Sequence, residues 1–219
     1  MRKDFGTPLV PQGLLGRFSF DGDVRNSVPG ERFRCKENNG AELTTDRFGS
    51  PEKALLLSPG DIVTCDNVFE GIGVPYTVMV WARPTTVAGN QTLFMTDFNT
   101  SGPYYGLRIK ILDGTLDTFY GDGTVRGRQG RRGTTSPPLL EAGEWVHLAA
   151  VVESRDEMRL YIDGQEVPST ISGTGGPMRH NDGPTSFGSL TSNTAIDDFY
   201  LFQGAVPADR IARVASNTL

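Results

Sequence analysis

The chain predicts an all-β fold: two antiparallel layers packed face to face, with one short C-terminal helix. Three observations carry that expectation. About a dozen short runs rich in β-formers recur along the 219 residues with turn signals between them. No helical pattern separates the runs, which excludes alternating strand–helix units and a parallel sheet. The 27 glycines and 14 prolines supply the turns that so many strands require.

In chain order the expected strands cover residues 14–20, 31–35, 54–57, 62–65, 76–82, 91–97, 106–112, 115–120, 145–152, 158–162, 185–188 and 195–202. The segment GEWVHLAAVVESRDEMRLYIDG, residues 143–164, is the clearest. Its first half is an apolar run of the kind a strand buried on both faces needs. In its second half Met158, Leu160 and Ile162 alternate with Arg159 and Tyr161, the period of a half-buried strand. Asp163-Gly164 then tolerates the positive φ of a tight hairpin turn. Asp113-Gly114 does the same for a second hairpin, in which Leu107, Ile109 and Ile111 point inward and Arg108 and Lys110 outward. The helix is expected over residues 208–216, introduced by Pro207 with Ile211, Val214 and Ala215 on one stripe. It is too short to stand alone and must dock on the sandwich. Residues 121–138 and 169–181 lack periodicity and read as long loops.

Residues 1–13 have a basic start without an apolar core and are expected to be an extension ahead of one domain over residues 14–219. No apolar run approaches the ~20 residues of a membrane helix. A net charge of −5 argues against nucleic acid as the main partner. The two cysteines, Cys35 and Cys65, either bridge in an oxidising compartment or sit reduced as small hydrophobes. Asn90-Gln91-Thr92 and Asn99-Thr100-Ser101 match the glycosylation sequon, a short and frequent pattern.

Five motifs in order resemble a laminin-G-like jelly roll of the concanavalin A-like lectin/glucanase superfamily. They are LLGRFSFDG at residues 14–22, TTDRFG at 44–49 with the following ALLL, YTVMVWAR at 76–83, the Trp-x-His strand and Tyr-x-Asp-Gly hairpin at 144–164, and AIDDFYLFQGAVPADRI at 195–211. Asn26 stands where many members carry Asp, and residues 126–132 are unusually basic. The resemblance implies a jelly-roll sandwich and, at the meeting of first and last strands, a structural calcium ion. Asp21, Asp23 and Asp197 are its expected ligands, with Asn26 as a weaker one, since hard cations need several converging oxygens. The alternative is that these aspartates only satisfy backbone donors in turns.

Trp81 and Trp145 sit within apolar runs, so core packing is expected over sugar stacking. His147 reads as a structural histidine hydrogen-bonded within the sheet, and His180 as a loop residue with no evident partner. The cysteines and histidines lack the close-spaced pairs of a zinc site. No Gly-x-Ser-x-Gly elbow or phosphate loop is present. The paired carboxylates of glycoside hydrolysis are missing, since Glu153, Asp156 and Glu157 are wrongly spaced and fall in a turn.

What remains is a binding surface: Phe98, Tyr104 and Tyr105 in one loop and Arg126, Arg128, Arg131 and Arg132 in the next. Aromatic faces stack on sugars and guanidinium forks pair with carboxylate or sulfate. The opposing reading is a solvated loop with incidental charge. The expected function is therefore a non-catalytic extracellular or cell-surface recognition module binding carbohydrate or a surface protein. The alternatives are a glycan-cleaving enzyme using Glu144, Asp156 or Glu157 with Tyr120, and a purely structural domain.

Overall fold

The computed structural model describes residues 13–29, 35–66, 72–97, 99 and 101–217. Within them run β1 (Leu14–Phe18), β2 (Cys35–Asn39), β3 (Glu42–Thr44), β4 (Ala54–Leu57), β5 (Ile62–Cys65), β6 (Tyr76–Pro84), β7 (Asn90–Met95) and β8 (Leu107–Leu112). There follow β9 (Thr115–Gly121), β10 (Arg131–Pro138), β11 (Val146–Val152), β12 (Met158–Ile162), β13 (Gln165–Val167), β14 (Thr170–Ser172), β15 (Thr185–Gly188), β16 (Thr194–Gln203) and α1 (Ala208–Ala215). One sheet has the order β13-β12-β11-β6-β16-β4-β3, with β1 also paired to β16. The other runs β14-β10-β9-β8-β7-β15-β5-β2. All pairings are antiparallel.

The core lies between the sheets because alternate residues of each strand face inward. Val78, Val80, Leu148, Ala150, Leu160 and Leu201 of the first sheet meet Ile109, Ile111, Leu116, Phe94 and Phe187 of the second. Phe94, Phe187 and Phe199 form its aromatic centre, with ring centroids 4.4 to 5.2 Å apart. Both Asp-Gly turns form as expected, with positive φ at Asp113, Gly114, Asp163 and Gly164.

The apolar run of β11 is buried on both faces because α1 covers the outer side of the first sheet. Pro207 leads into the helix, and Ile211 and Val214 pack on Met79, Ala149, Val151, Tyr161 and Tyr200. Burying Ile211 completely contributes about 2 kcal/mol. Gly164 lies so close beneath α1 that a Cβ would sit 2.9 Å from Ala212 Cα.

The sequence expectation departs from the structure at several elements. The segment 121–138 contains β10, and 169–181 contains β14, both held by pairing with neighbours rather than by their own composition. Residues 31–34 of the strand expected over 31–35 lie outside the described residues, and Cys35 opens β2. Cys35 and Cys65 face each other across β2 and β5 and are joined by a disulfide.

Candidate functional site

The outer face of the second sheet gathers a cationic cluster. Strand alternation sends Arg108 and Lys110 of β8 outward, and antiparallel pairing sets Phe119 and Asp117 of β9 beside them. Arg131 enters from the start of β10. Three cations crowd Phe119: Arg131 lies 4.7 Å, Arg108 5.5 Å and Lys110 5.9 Å from its centroid. Tyr104 tilts against Phe119 at 5.2 Å and carries Arg126 at 5.1 Å. Phe119 is buried, so it is a floor that holds cations together through its negative face rather than a platform for a sugar ring.

The backbone keeps Tyr104 in place. Its carbonyl accepts the Gly123 N–H at 2.9 Å and presses against Gly121, where any Cβ would collide with it. Asp122 fixes the following turn, accepting from the Thr124 N–H at 2.9 Å and the Gly176 N–H at 2.7 Å. Although burial opposes ionisation, these bonds hold the Asp122 carboxyl below its usual range.

Charge in the cluster is unbalanced. Asp117, 3.6 Å from Lys110, is the one carboxylate ion-paired to Arg108, Lys110 or Arg131 among the described residues. Burial lowers the pKa of Arg108, and Arg126 and Arg131 push it the same way against Tyr104 and Asp117. Burial likewise lowers Lys110, opposed by Asp117 and reinforced by Arg131 and Arg108. Like charges held close on a partly dry floor favour an anion that relieves them.

The residues expected to bind ligand are thus partly gathered and partly scattered. Tyr104 and Arg126 belong to the cluster. Tyr105 packs on Gly123, as shown by the 2.5 Å that a Cβ there would leave to its ring. Arg128 is exposed in a 3-10 turn, where its carbonyl accepts the Thr174 N–H at 2.8 Å. Phe98 lies outside the described residues. Arg108 and Lys110 were legible as outward-facing, whereas Phe119 and Arg131 meet them only through cross-strand pairing.

Each of the three aspartates expected to share calcium has a cationic side chain of the protein as its partner. Asp197 is wholly buried and accepts from Arg47 Nη1 at 2.5 Å, while Asp198 accepts from Nη2 at 2.8 Å. Asp21 instead lies 3.5 Å from Lys53, and Asp23 3.6 Å from Arg25. Asn26 accepts the Arg17 N–H and donates to the Leu15 carbonyl, tying the loop to β1. Among the described residues no three carboxylate, histidine or cysteine side chains gather as a metal seat.

Trp81 and Trp145 are not core residues. Both are half-buried on the outer side of the first sheet, each under a guanidinium: Arg47 lies 4.8 Å from Trp81 and Arg83 5.2 Å from Trp145. His147 is buried against Trp81 at 5.5 Å, but its ring nitrogens find no hydrogen-bond partner among the described residues. Burial, with the charge of Arg47, lowers its pKa to about 3, so it is a neutral packing group. His180 does have partners: Asp97 at 2.7 Å from Nδ1 and the Ile72 carbonyl at 2.7 Å from Nε2.

The carboxylates considered for hydrolysis are committed or isolated. Asp156 pairs with Arg132, Glu157 lies 3.9 Å from Arg159, and Glu144 is exposed ahead of β11.

A sequence profile of the laminin-G-type family within the concanavalin A-like lectin/glucanases superfamily matches residues 60–212. The chain belongs to this superfamily. No curated protein matches it by sequence. Among solved structures it is similar to the binding domain of botulinum neurotoxin serotype D, at 14% identity and a TM-score of 0.70, over 93% of this chain and 50% of that one. It is also similar to the binding domain of Paraclostridial Mosquitocidal Protein 1, at 16% identity and 0.69, over 93% and 52%. A third is the serotype D ligand-binding domain in complex with N-acetylneuraminic acid, at 15% identity and 0.69, over 93% and 50%. The chain therefore spans about half of each of these domains, and the likeness establishes the shared lectin-like fold.

Proposed function

We propose that the chain is a non-catalytic recognition module that binds anionic carbohydrate on the outer face of its second sheet. The observation that carries this reading is the crowding of Arg108, Lys110 and Arg131 around Phe119, with Asp117 as their single paired carboxylate among the described residues. Guanidinium forks match the two oxygens of a carboxylate or sulfate, and the sheet holds them without a mobile loop. The sugar acid bound by a structural neighbour is a ligand of this chemical type. A disulfide fits display in an oxidising, extracellular setting.

The test is binding to sialylated and sulfated oligosaccharides beside their neutral parents. Binding is expected for the anionic forms alone, weakening with salt. The Arg108→Gln/Arg131→Gln double variant should weaken it at least ~10-fold, the loss of two charge-assisted contacts. Equal binding of neutral glycans, or an unaffected double variant, would overturn the proposal.

A further inference from the structure

Strand β9 has two functional sides. Phe119 faces the cationic surface, while the next residue, Tyr120, points the other way into a cleft of about 330 Å³ at the end of the sandwich. The start of β6, the end of β9, the turn between β11 and β12, and the segment after β14 meet there. Val74, Pro177 and Met178 give the cleft apolar walls, and Gly73 and Gly176 complete its lining.

Two polar groups line this space. Tyr120 is 2% exposed and lines the cleft. Burial raises its pKa, against the opposing pull of Arg155 and Arg132, so the hydroxyl keeps its proton and remains a donor. Arg155 reaches in from the β11–β12 turn. Its Nη1 donates to the Gly175 carbonyl at 2.6 Å and its Nη2 to the Thr174 carbonyl at 3.1 Å. These bonds fix the guanidinium without neutralising it, because carbonyls carry no full charge and further N–H groups remain. The neighbouring Asp156 is held by Arg132. Among the described residues no carboxylate pairs with Arg155.

An apolar cleft of ligand size, with a fixed cation at one side and a hydroxyl donor in its wall, selects a particular chemistry. We infer that it binds a compact organic acid with an apolar body: the carboxylate pairs with Arg155, the body lies against Val74, Pro177 and Met178, and an acceptor atom takes the Tyr120 hydrogen bond. This site is independent of the carbohydrate surface on the opposite side of β9.

The experiment is an amide NMR titration of the whole chain with 4-methoxybenzoate, with 4-methoxybenzamide as the uncharged counterpart. Saturable shifts are expected at Val74, Tyr120, Gly176 and Met178, with the amide binding at least ~10-fold more weakly for want of the ion pair. Tyr120→Phe, which preserves the packing, should weaken the acid about 5-fold by removing one hydrogen bond. Arg155→Gln should abolish the preference for the acid. Arg108→Gln/Arg131→Gln should leave the titration unchanged, which separates this site from the carbohydrate surface. No saturable shift up to about 10 mM, shifts centred on Arg108 and Lys110, equal binding of the amide, or an unaffected Tyr120→Phe would each overturn the inference.

Discussion

Arg47 donates to Asp197 at 2.5 Å, joining a turn near the start of the chain to its last strand across 150 residues of sequence. The same guanidinium reaches Asp198 and Asn217, each at 2.8 Å, and stacks between Phe48 and Trp81. It is a cation supplied by the protein at the place where the sequence suggests a metal. Since Asp197 is wholly buried, it depends on that partner. Arg47→Ala should destabilise the fold by about 3–5 kcal/mol, the usual cost of leaving one buried charge unpaired. Arg47→Lys should recover only part of the loss, because an ammonium cannot fork to both carboxylates. Urea unfolding measures both, and a loss under ~1 kcal/mol for Arg47→Ala would show that water reaches Asp197.

His147 makes the fold sensitive to acid. Its pKa falls from 6.5 to about 3 in the folded chain, so the unfolded chain takes up a proton first. Its contribution to stability is intact above pH 6.5 and declines as pH drops toward 3, by at most about 1.4 kcal/mol per pH unit. His147→Leu should flatten this part of the profile, and no change in slope would contradict the burial of a neutral imidazole.

His180 acts in the opposite direction. Burial alone would lower its pKa, but the bonds to Asp97 and the Ile72 carbonyl, with the Asp97 charge, raise it. Its contribution is therefore full below pH 6.5 and is lost as pH climbs through the raised folded value. NMR titration of the imidazole should place its midpoint above 6.5, and His180→Gln should lose less stability than the parent on the alkaline side. A midpoint at or below 6.5 would show that the Asp97 contact is not made by a charged ring.

The Cys35–Cys65 bridge closes a loop with a sequence separation of 30. Chain-entropy reasoning assigns such a closure about 3–4 kcal/mol. Reduction, or Cys35→Ser with Cys65→Ser, should lower the melting temperature by a corresponding amount, and the cationic cluster should still bind anionic glycans. Loss of binding at temperatures where the reduced protein remains folded would tie β2 to the site.

Much of the fold is visible in local pattern, because Asp-Gly turns and the alternation at Met158, Leu160 and Ile162 report geometry within a few residues. Apolar runs conceal which side of a strand each residue takes. Trp81 and Trp145 read as core for that reason, although they stand on the outer surface under arginines. Strand β10, RRGTTSPP, has almost no intrinsic β preference and forms because β9 and β14 supply its hydrogen bonds. The candidate site was half legible. Arg108 and Lys110 announce an outward face by alternation, but Phe119 and Arg131 reach them across strands, and no spacing rule records such pairs.

The sheet borders have a consequence for behaviour at high concentration. Among the described residues β13, β3 and β14 each end a sheet with three residues, β1 borders the first sheet with five, and β2 ends the second with five and is clipped by its cystine. Such stubs offer an incoming chain few free amides and carbonyls to zip onto. Crowded copies would thus find little sheet edge through which to pair.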